Sequence, residues 1–180
     1  RRVQSDETRG HLRDAHGRLM SIAAVQRQLS TSSLGEVELR PSFTQLCNSL
    51  GASMIYDQKL LSIKVVVDES TIGAELSLSL GLIVTELVIN ALKHAFPGHR
   101  GGIIIVTYKS DAQNWTLSVT DNGVGMPAGL TAPKPGLGTN IVEALAKRLG
   151  AEIQVTSANP GTADKIVHSL MAVAPIGRAA

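Results

Sequence analysis

Several residue types are scarce in this sequence of 180 residues, and each scarcity excludes a class of protein. A single cysteine, Cys47, rules out an intramolecular disulfide framework and favours a reducing compartment such as the cytoplasm. Lys and Arg number 17 against 15 Asp and Glu, and aromatic residues make up only 3% of the chain. Without a basic block or interleaved aromatic residues, we expect no nucleic-acid partner. No uninterrupted apolar run approaches the roughly 20 residues that cross a bilayer, so we expect no membrane segment.

The N-terminal segment opens without a Met or the apolar core of a signal peptide, so we expect the chain to be a fragment of a longer protein. An apolar seam with alternating spacings of three and four residues predicts one long helix here. The seam consists of Leu12, Ala15, Leu19, Ile22, Gln26 and Leu29. Such a helix packs on its own domain, pairs with a missing helix or associates with a second copy, and the spacing leaves these alternatives open. We assign residues 1–34 to this helical region.

Strand-like and helix-like segments alternate in the rest of the chain. β-branched runs and alternation predict strands at residues 37–39, 63–68, 101–110, 114–123, 151–157 and 165–173. Apolar periodicity and terminal Pro or Gly residues predict helices at residues 41–54, 77–96 and 139–150. These segments indicate an α+β fold, a two-layer α/β sandwich in which helices cover one face of a mixed sheet, preceded by the long N-terminal helix.

Polar side chains interrupt the apolar helix predicted at residues 77–96. Glu86, Asn90, Lys93 and His94 lie on one side of this helix, away from the stripe of apolar residues. A solvated surface would explain the charges, whereas Asn in the middle of a helix indicates a function. The helix alone leaves both interpretations open.

A carboxylate ends the strand predicted at residues 114–123. Asp121 shares the alternation of Trp115, Leu117 and Val119, so it points to the same side as these apolar residues and needs hydrogen-bond donors. The backbone N–H groups of the following Gly turn are one source of donors. A ligand amine is the other: the exocyclic amine of adenine fits, whereas guanine presents a carbonyl at that place.

A loop rich in Gly and Pro, residues 122–138, leads directly into the helix predicted at 139–150. Backbone N–H groups at such a helix start favour an anion, although a Gly-rich loop is more often only a connection. Lys134 reaches a phosphate in the first interpretation and is solvated in the second.

In order and spacing, these three segments resemble the ATP-binding domain shared by sensor histidine kinases, gyrase-type ATPases, Hsp90 and MutL, the Bergerat or GHKL fold. ELVINALKH resembles the N box of that domain, DNGVGMP its first glycine box and GLGTNIV its second. Pro160, Gly161 and Thr162 resemble its late Gly-Thr element. GLIVTELVINALKHAFP is most similar to kinases whose dimerisation helices carry an HRxKN phosphoacceptor motif. Residues 13–39 are similar to the second dimerisation helix and connector of those kinases, so residues 1–34 would be part of their dimerisation region.

The resemblance implies that residues 37–176 are the catalytic ATP-binding domain of a two-component sensor histidine kinase, with ATP and Mg²⁺ as cofactors. Asn90 would bind Mg²⁺, and Asp121 would read the adenine amine with help from Thr162. Gly123 and Gly125 would allow close approach of the base.

The resemblance also implies how phosphate is held and transferred. Lys93 and His94 would neutralise phosphate charge, and Gly136, Gly138 and Thr139 would hold the phosphates under a closing lid. Glu86 would be the catalytic residue, polarising the nucleophile or organising Mg²⁺. The lid has no Phe, so Met126 or Leu130 would replace it.

The resemblance further implies a homodimer formed through the N-terminal helix and a response regulator receiver domain as partner. Neither His11 nor His16 stands in an HRxKN motif, so we expect both to be solvated and the phosphoacceptor to lie upstream. Two alternatives stay open: a non-catalytic interaction module gated by nucleotide, and a serine kinase of the anti-sigma-factor type.

Overall fold

The computed structural model describes residues 35–125 and 136–169. The predicted N-terminal helix, with His11 and His16, and the lid residues Met126, Leu130 and Lys134 lie outside the described residues. The boundaries assigned to the two domains stay a prediction.

The described chain contains seven strands and three helices, in a βαββαββαββ order. The strands are β1 (Glu36–Glu38), β2 (Leu61–Val67), β3 (Thr71–Gly73), β4 (Gly102–Asp111), β5 (Asn114–Asp121), β6 (Glu152–Ser157) and β7 (Thr162–His168). The helices are α1 (Leu39–Met54), α2 (Ala74–His94) and α3 (Leu137–Arg148), and a short 3₁₀ turn, Pro97–His99, follows α2. These elements confirm the predicted α+β class.

The main sheet has the order β2-β4-β5-β7-β6. Only the β2–β4 pair is parallel, and the other pairs are antiparallel, which makes the sheet mixed as predicted. Side chains alternate between its two faces, and the buried ones, such as Ile104, Leu117 and Ile166, share the face that the helices cover. The opposite face carries polar residues such as Lys64 and Lys165, so one side of the sheet stays open to solvent.

Helix α2 is the central core element. By length and composition alone, this helix of 21 residues could cross a membrane. Most of the helix is instead buried in the sandwich, and Leu80, Ile83, Val84 and Val88 have no exposed surface. Burial on several sides explains its apolar composition.

One strand was missed, and two predicted starts were wrong by three residues. Strand β3 was not predicted, because three residues are too few to show alternation; it is formed by pairing with β1. Helix α2 begins at Ala74 rather than at residue 77, after Gly73. Strand β7 begins at Thr162 rather than at residue 165, because Thr162 already pairs with Ser157 across the β6–β7 turn.

Candidate functional site

The turn after β5 packs tightly against the end of α2. The Ala95 carbonyl accepts a hydrogen bond from the N–H of Val124 at 2.9 Å. A Cβ atom on Gly123 would lie 2.2 Å from that same carbonyl oxygen, so the backbone approach requires glycine here. This contact joins the helix that carries Glu86 and Asn90 to the strand that carries Asp121.

Asp121 ends β5 with a carboxylate that is 7% exposed. One of its oxygens, Oδ1, accepts a hydrogen bond from the Gly123 N–H at 2.8 Å. The Gly turn therefore supplies a donor, as the first of the two interpretations predicted. Because a carboxylate accepts about four hydrogen bonds, Asp121 keeps capacity for a ligand donor.

The turn between β6 and β7 closes over the end of β5. Gly161 has a φ of +99°, and a Cβ atom on it would lie 1.8 Å from the Asp121 carbonyl oxygen. A Cβ atom on Gly125 would in turn lie 3.2 Å from the carbonyl oxygen of Gly161. These glycines bring the backbones of two separate turns together around Asp121.

Thr162 follows Gly161 and lies beside Asp121. Because Thr120 pairs with Ala163, continuing the register places Thr162 opposite Asp121 on the same face of the sheet. Thr162 is half-buried. The structure thus brings Asp121, Gly123, Gly125, Gly161 and Thr162 together, although they are up to 41 residues apart in the sequence.

The polar side of α2 is not a uniformly solvated surface. Glu86 is only 3% exposed, whereas Lys93 and His94 are exposed at the last turn of the helix. Glu86 and Lys93 each interact with another group. The burial of Glu86 argues against the interpretation of this side as wet helix surface, because an isolated carboxylate avoids burial.

Asn90 is half-buried on α2, one turn beyond Glu86. Its amide oxygen is a suitable ligand for a hard cation. Within residues 35–125 and 136–169, no group of three or more His, Cys, Asp or Glu side chains is arranged to hold a metal ion. A Mg²⁺ ion here would therefore rely on Asn90 together with water and phosphate oxygens, a donor set that Mg²⁺ accepts.

Helix α3 begins after a glycine. Its N-cap, Gly136, has φ −79° and, as a glycine, has no side chain to bond the N–H groups of the first turn. Gly138 is buried, while Gly136 and Thr139 are exposed. The first-turn N–H groups and the helix dipole favour an anion at this end.

Asp164, on β7 opposite Val119, lies near Asp121, and the sequence patterns did not identify it. Burial, followed by the charge of nearby Asp121, raises the pKa of its carboxyl group to about 6. The alternation of Thr162, Asp164 and Ile166 would have placed Asp164 on the same face of the sheet as the apolar Ile166. It was not recognised, because the last strand was predicted to begin at residue 165.

Comparison with protein families gives two matches. Residues 75–171 match the model of the histidine kinase-, DNA gyrase B- and HSP90-like ATPases, and residues 1–54 match a histidine kinase model. The first match covers the helix with Glu86 and Asn90, the strand with Asp121 and the turn with Gly161.

Curated relatives are sensor kinases. Blue-light-activated histidine kinase 2 of Erythrobacter litoralis is 33% identical over 104 residues, which are 57% of this chain and 30% of that protein. Sensor histidine kinase PdtaS of Mycobacterium tuberculosis is 30% identical over 147 residues, 81% of this chain and 29% of that protein. The chain thus spans less than a third of the length of these relatives.

Solved structures share the fold. The histidine kinase domain of a blue-light-activated kinase from Erythrobacter litoralis aligns with a TM-score of 0.75 at 23% identity, over 86% of this chain and 73% of that one. The Acinetobacter baumannii histidine kinase AdeS aligns with a TM-score of 0.59 at 19% identity, over 86% of this chain and 76% of that one.

Proposed function

We propose that the site around Asp121 binds the adenine of Mg·ATP, whose γ-phosphoryl group is then transferred to a histidine. The chain belongs to the histidine kinase-, DNA gyrase B- and HSP90-like ATPases, as a histidine kinase ATPase domain. The observation that carries this proposal is the convergence of the β5 turn, the β6–β7 turn and the end of α2 on Asp121. The serine kinase and the non-catalytic module are not favoured, because the relatives are sensor histidine kinases.

Asp121 is proposed to select adenine. The Gly123 N–H occupies Oδ1, which leaves Oδ2 to accept a hydrogen bond from the exocyclic amine of the base. Gly125 and Gly161 permit the backbone to come close to the base, and Thr162 lies next to the carboxylate. Guanine would place a carbonyl oxygen against a carboxylate and be repelled.

The phosphates are proposed to lie between α2 and the start of α3. Asn90 would hold Mg²⁺, which neutralises charge on the phosphate oxygens. Lys93 and His94 at the end of α2 would add positive charge, and the N–H groups of Gly138 and Thr139 would donate to the phosphates.

In the transfer step, the bond between the γ-phosphorus and the bridging oxygen breaks and a phosphorus–nitrogen bond to imidazole forms. ADP leaves with the bridging oxygen, and the N–H proton of the imidazole passes to solvent. Buried Glu86 is proposed to orient the nucleophile or Mg²⁺, because positioning and charge neutralisation supply most of the rate in phosphoryl transfer.

The wider role of the protein is also a proposal. We expect a cytoplasmic homodimer formed through residues 1–34 and a response regulator receiver domain as the next acceptor. The phosphoacceptor histidine stays a prediction, since His11 and His16 lie outside the described residues.

Calorimetric titration of the chain with ATP and GTP, with and without Mg²⁺, tests the site. We expect binding selective for ATP, a loss of at least about tenfold in Asp121→Asn, and a loss of Mg²⁺ dependence in Asn90→Ala. Equal affinities for ATP and GTP, or unchanged binding in Asp121→Asn, would contradict the assignment. In the full-length protein, a phosphoryl label that is stable to base and labile to acid would identify transfer to histidine.

A further inference from the structure

Asp164 occupies a position of the sheet where its neighbours are apolar. It pairs directly with Val119 of β5 and with Val155 of β6, and directly paired residues project to the same face. Val119 is 2% exposed, and Ile166, two residues beyond Asp164, is fully buried. The Asp164 carboxyl group therefore lies on the helix-covered face of the sheet.

This position places Asp164 beside Asp121. Asp121 follows Val119 by two residues on β5, so the two carboxyl groups are diagonal neighbours on adjacent strands. Burial, together with the charge of Asp121 at this position, raises the pKa of the Asp164 carboxyl group to about 6. The negative charge of Asp121 disfavours ionisation of its diagonal neighbour, so Asp164 holds its proton to a higher pH than an ordinary Asp.

The face of the sheet opens at this point. Val155, the partner of Asp164 on the edge strand, is 48% exposed although it is on the helix-covered face. Ile153, two residues earlier on the same face, is half-buried. The helices thus leave uncovered the part of the face that carries Asp164, next to Asp121 and Thr162.

The elements packed around Asp164 carry several charged or titratable groups. These groups are Asp121 on β5, Glu86, Lys93 and His94 on α2, and Glu143 and Arg148 on α3. Arg148 instead donates to Ser79 Oγ at 2.6 Å and lies 3.8 Å from a Glu75 oxygen. Within the described residues, Asp121 is the charged group that acts on Asp164.

A carboxylate beside a protonated carboxyl group presents an acceptor and a donor together. Adenine presents the complementary pair on its Watson–Crick edge, because its exocyclic amine donates and the adjacent ring nitrogen N1 accepts. Guanine presents the reverse pattern there, a carbonyl oxygen beside a ring N–H.

We propose that Asp164 is a second residue that recognises the base. In its protonated form it donates a hydrogen bond to N1 of adenine, directly or across one water. N1 adjoins the exocyclic amine that Asp121 binds. The proton comes from solvent, and no covalent bond changes. This inference rests on the proposed function and adds a prediction: ATP binding takes up a proton, and its affinity falls as pH rises.

Calorimetric titrations of the whole chain with Mg·ATP test this, run from about pH 5.5 to about pH 8 in buffers of different ionisation enthalpy. Asp164→Asn is the matched variant, because it keeps a donor and has the same shape but does not titrate. Relative to Asp164→Asn, we expect the wild-type affinity to be about tenfold weaker at pH 7 than at acid pH, with proton uptake on binding. Titration of the ATP phosphates is common to both proteins and cancels in this comparison.

A second nucleotide tests the contact itself. In 1-deaza-ATP a C–H group replaces the ring nitrogen, and we expect it to bind the wild type about tenfold more weakly than ATP and Asp164→Val nearly as well as ATP. An identical pH profile for ATP and 1-deaza-ATP in the wild type would overturn the inference, even if both variants failed to fold.

The two proposals fail in different ways. If wild type and Asp164→Asn show the same pH dependence and proton uptake while Asp121→Asn abolishes ATP binding, only the role of Asp164 is refuted. If the folded wild type binds no ATP at all, the proposed function itself is refuted.

Discussion

Replacing Asp164 by Asn is expected to stabilise the folded chain at alkaline pH and to have less effect at acid pH. The folded-state pKa of about 6 lies above the ordinary value of 3.8. The folded chain therefore binds more protons than the unfolded chain between these two values, and stability falls as pH rises through this window. Below it both states are protonated and the effect vanishes.

The size of the effect follows from the pKa difference. Each pH unit between the folded and unfolded values corresponds to about 1.4 kcal/mol, so a fully shielded carboxyl group would destabilise the fold by about 3 kcal/mol above pH 6. Asp164 is only half-buried, and solvent screening reduces this to about 1 to 2 kcal/mol. Asn has the same shape and does not ionise, so it removes this destabilisation.

Urea denaturation of wild type and Asp164→Asn at about pH 4 and about pH 8 measures the difference in free energy of unfolding. Asp111→Asn, at an exposed carboxyl group on the end of β4, controls for the general effect of removing one negative charge. If Asp164→Asn gains no more stability over wild type at the higher pH than at the lower, the reasoning about the carboxyl pair is refuted.

Three further predictions concern stability and reactivity. In thermal unfolding, Gly123→Ala should destabilise the chain by about 2 kcal/mol or more, because its Cβ would lie 2.2 Å from the Ala95 carbonyl oxygen. The control Gly73→Ala has open space around the new Cβ and should cost at most about 1 kcal/mol. Equal costs would contradict the close backbone contact. Burial raises the pKa of the Cys47 thiol to about 12. A thiol reagent at about pH 8 should therefore react with the denatured chain and hardly with the native one. Fast reaction of the native chain would instead show an accessible thiolate. Leu117→Ala should cost about 2 to 5 kcal/mol in urea denaturation, since Leu117 is 0% exposed at the centre of the sheet, and a cost under about 1 kcal/mol would argue against a packed core there.

The fold class and most elements were predictable, because local patterns determined them. Alternation identified β4 and β5, and the positive φ of Gly150 confirms the predicted end of α3. The three-residue strand β3 was missed, because it forms through its pairing with β1 and no local pattern shows that pairing. The same holds for the start of β7, where pairing with Ser157 sets the boundary.

The candidate site divides in the same way. The sequence by itself determined which residue types are available, and the inward direction of Asp121, because side chains alternate along a strand. Only the tertiary structure decided that Gly123 packs on Ala95, that Gly161 lies against Asp121 and that Asp164 is a diagonal neighbour of Asp121. These contacts join segments far apart in the chain. Their distances depend on sheet register and helix packing, whereas local periodicity reports only the direction in which each side chain points.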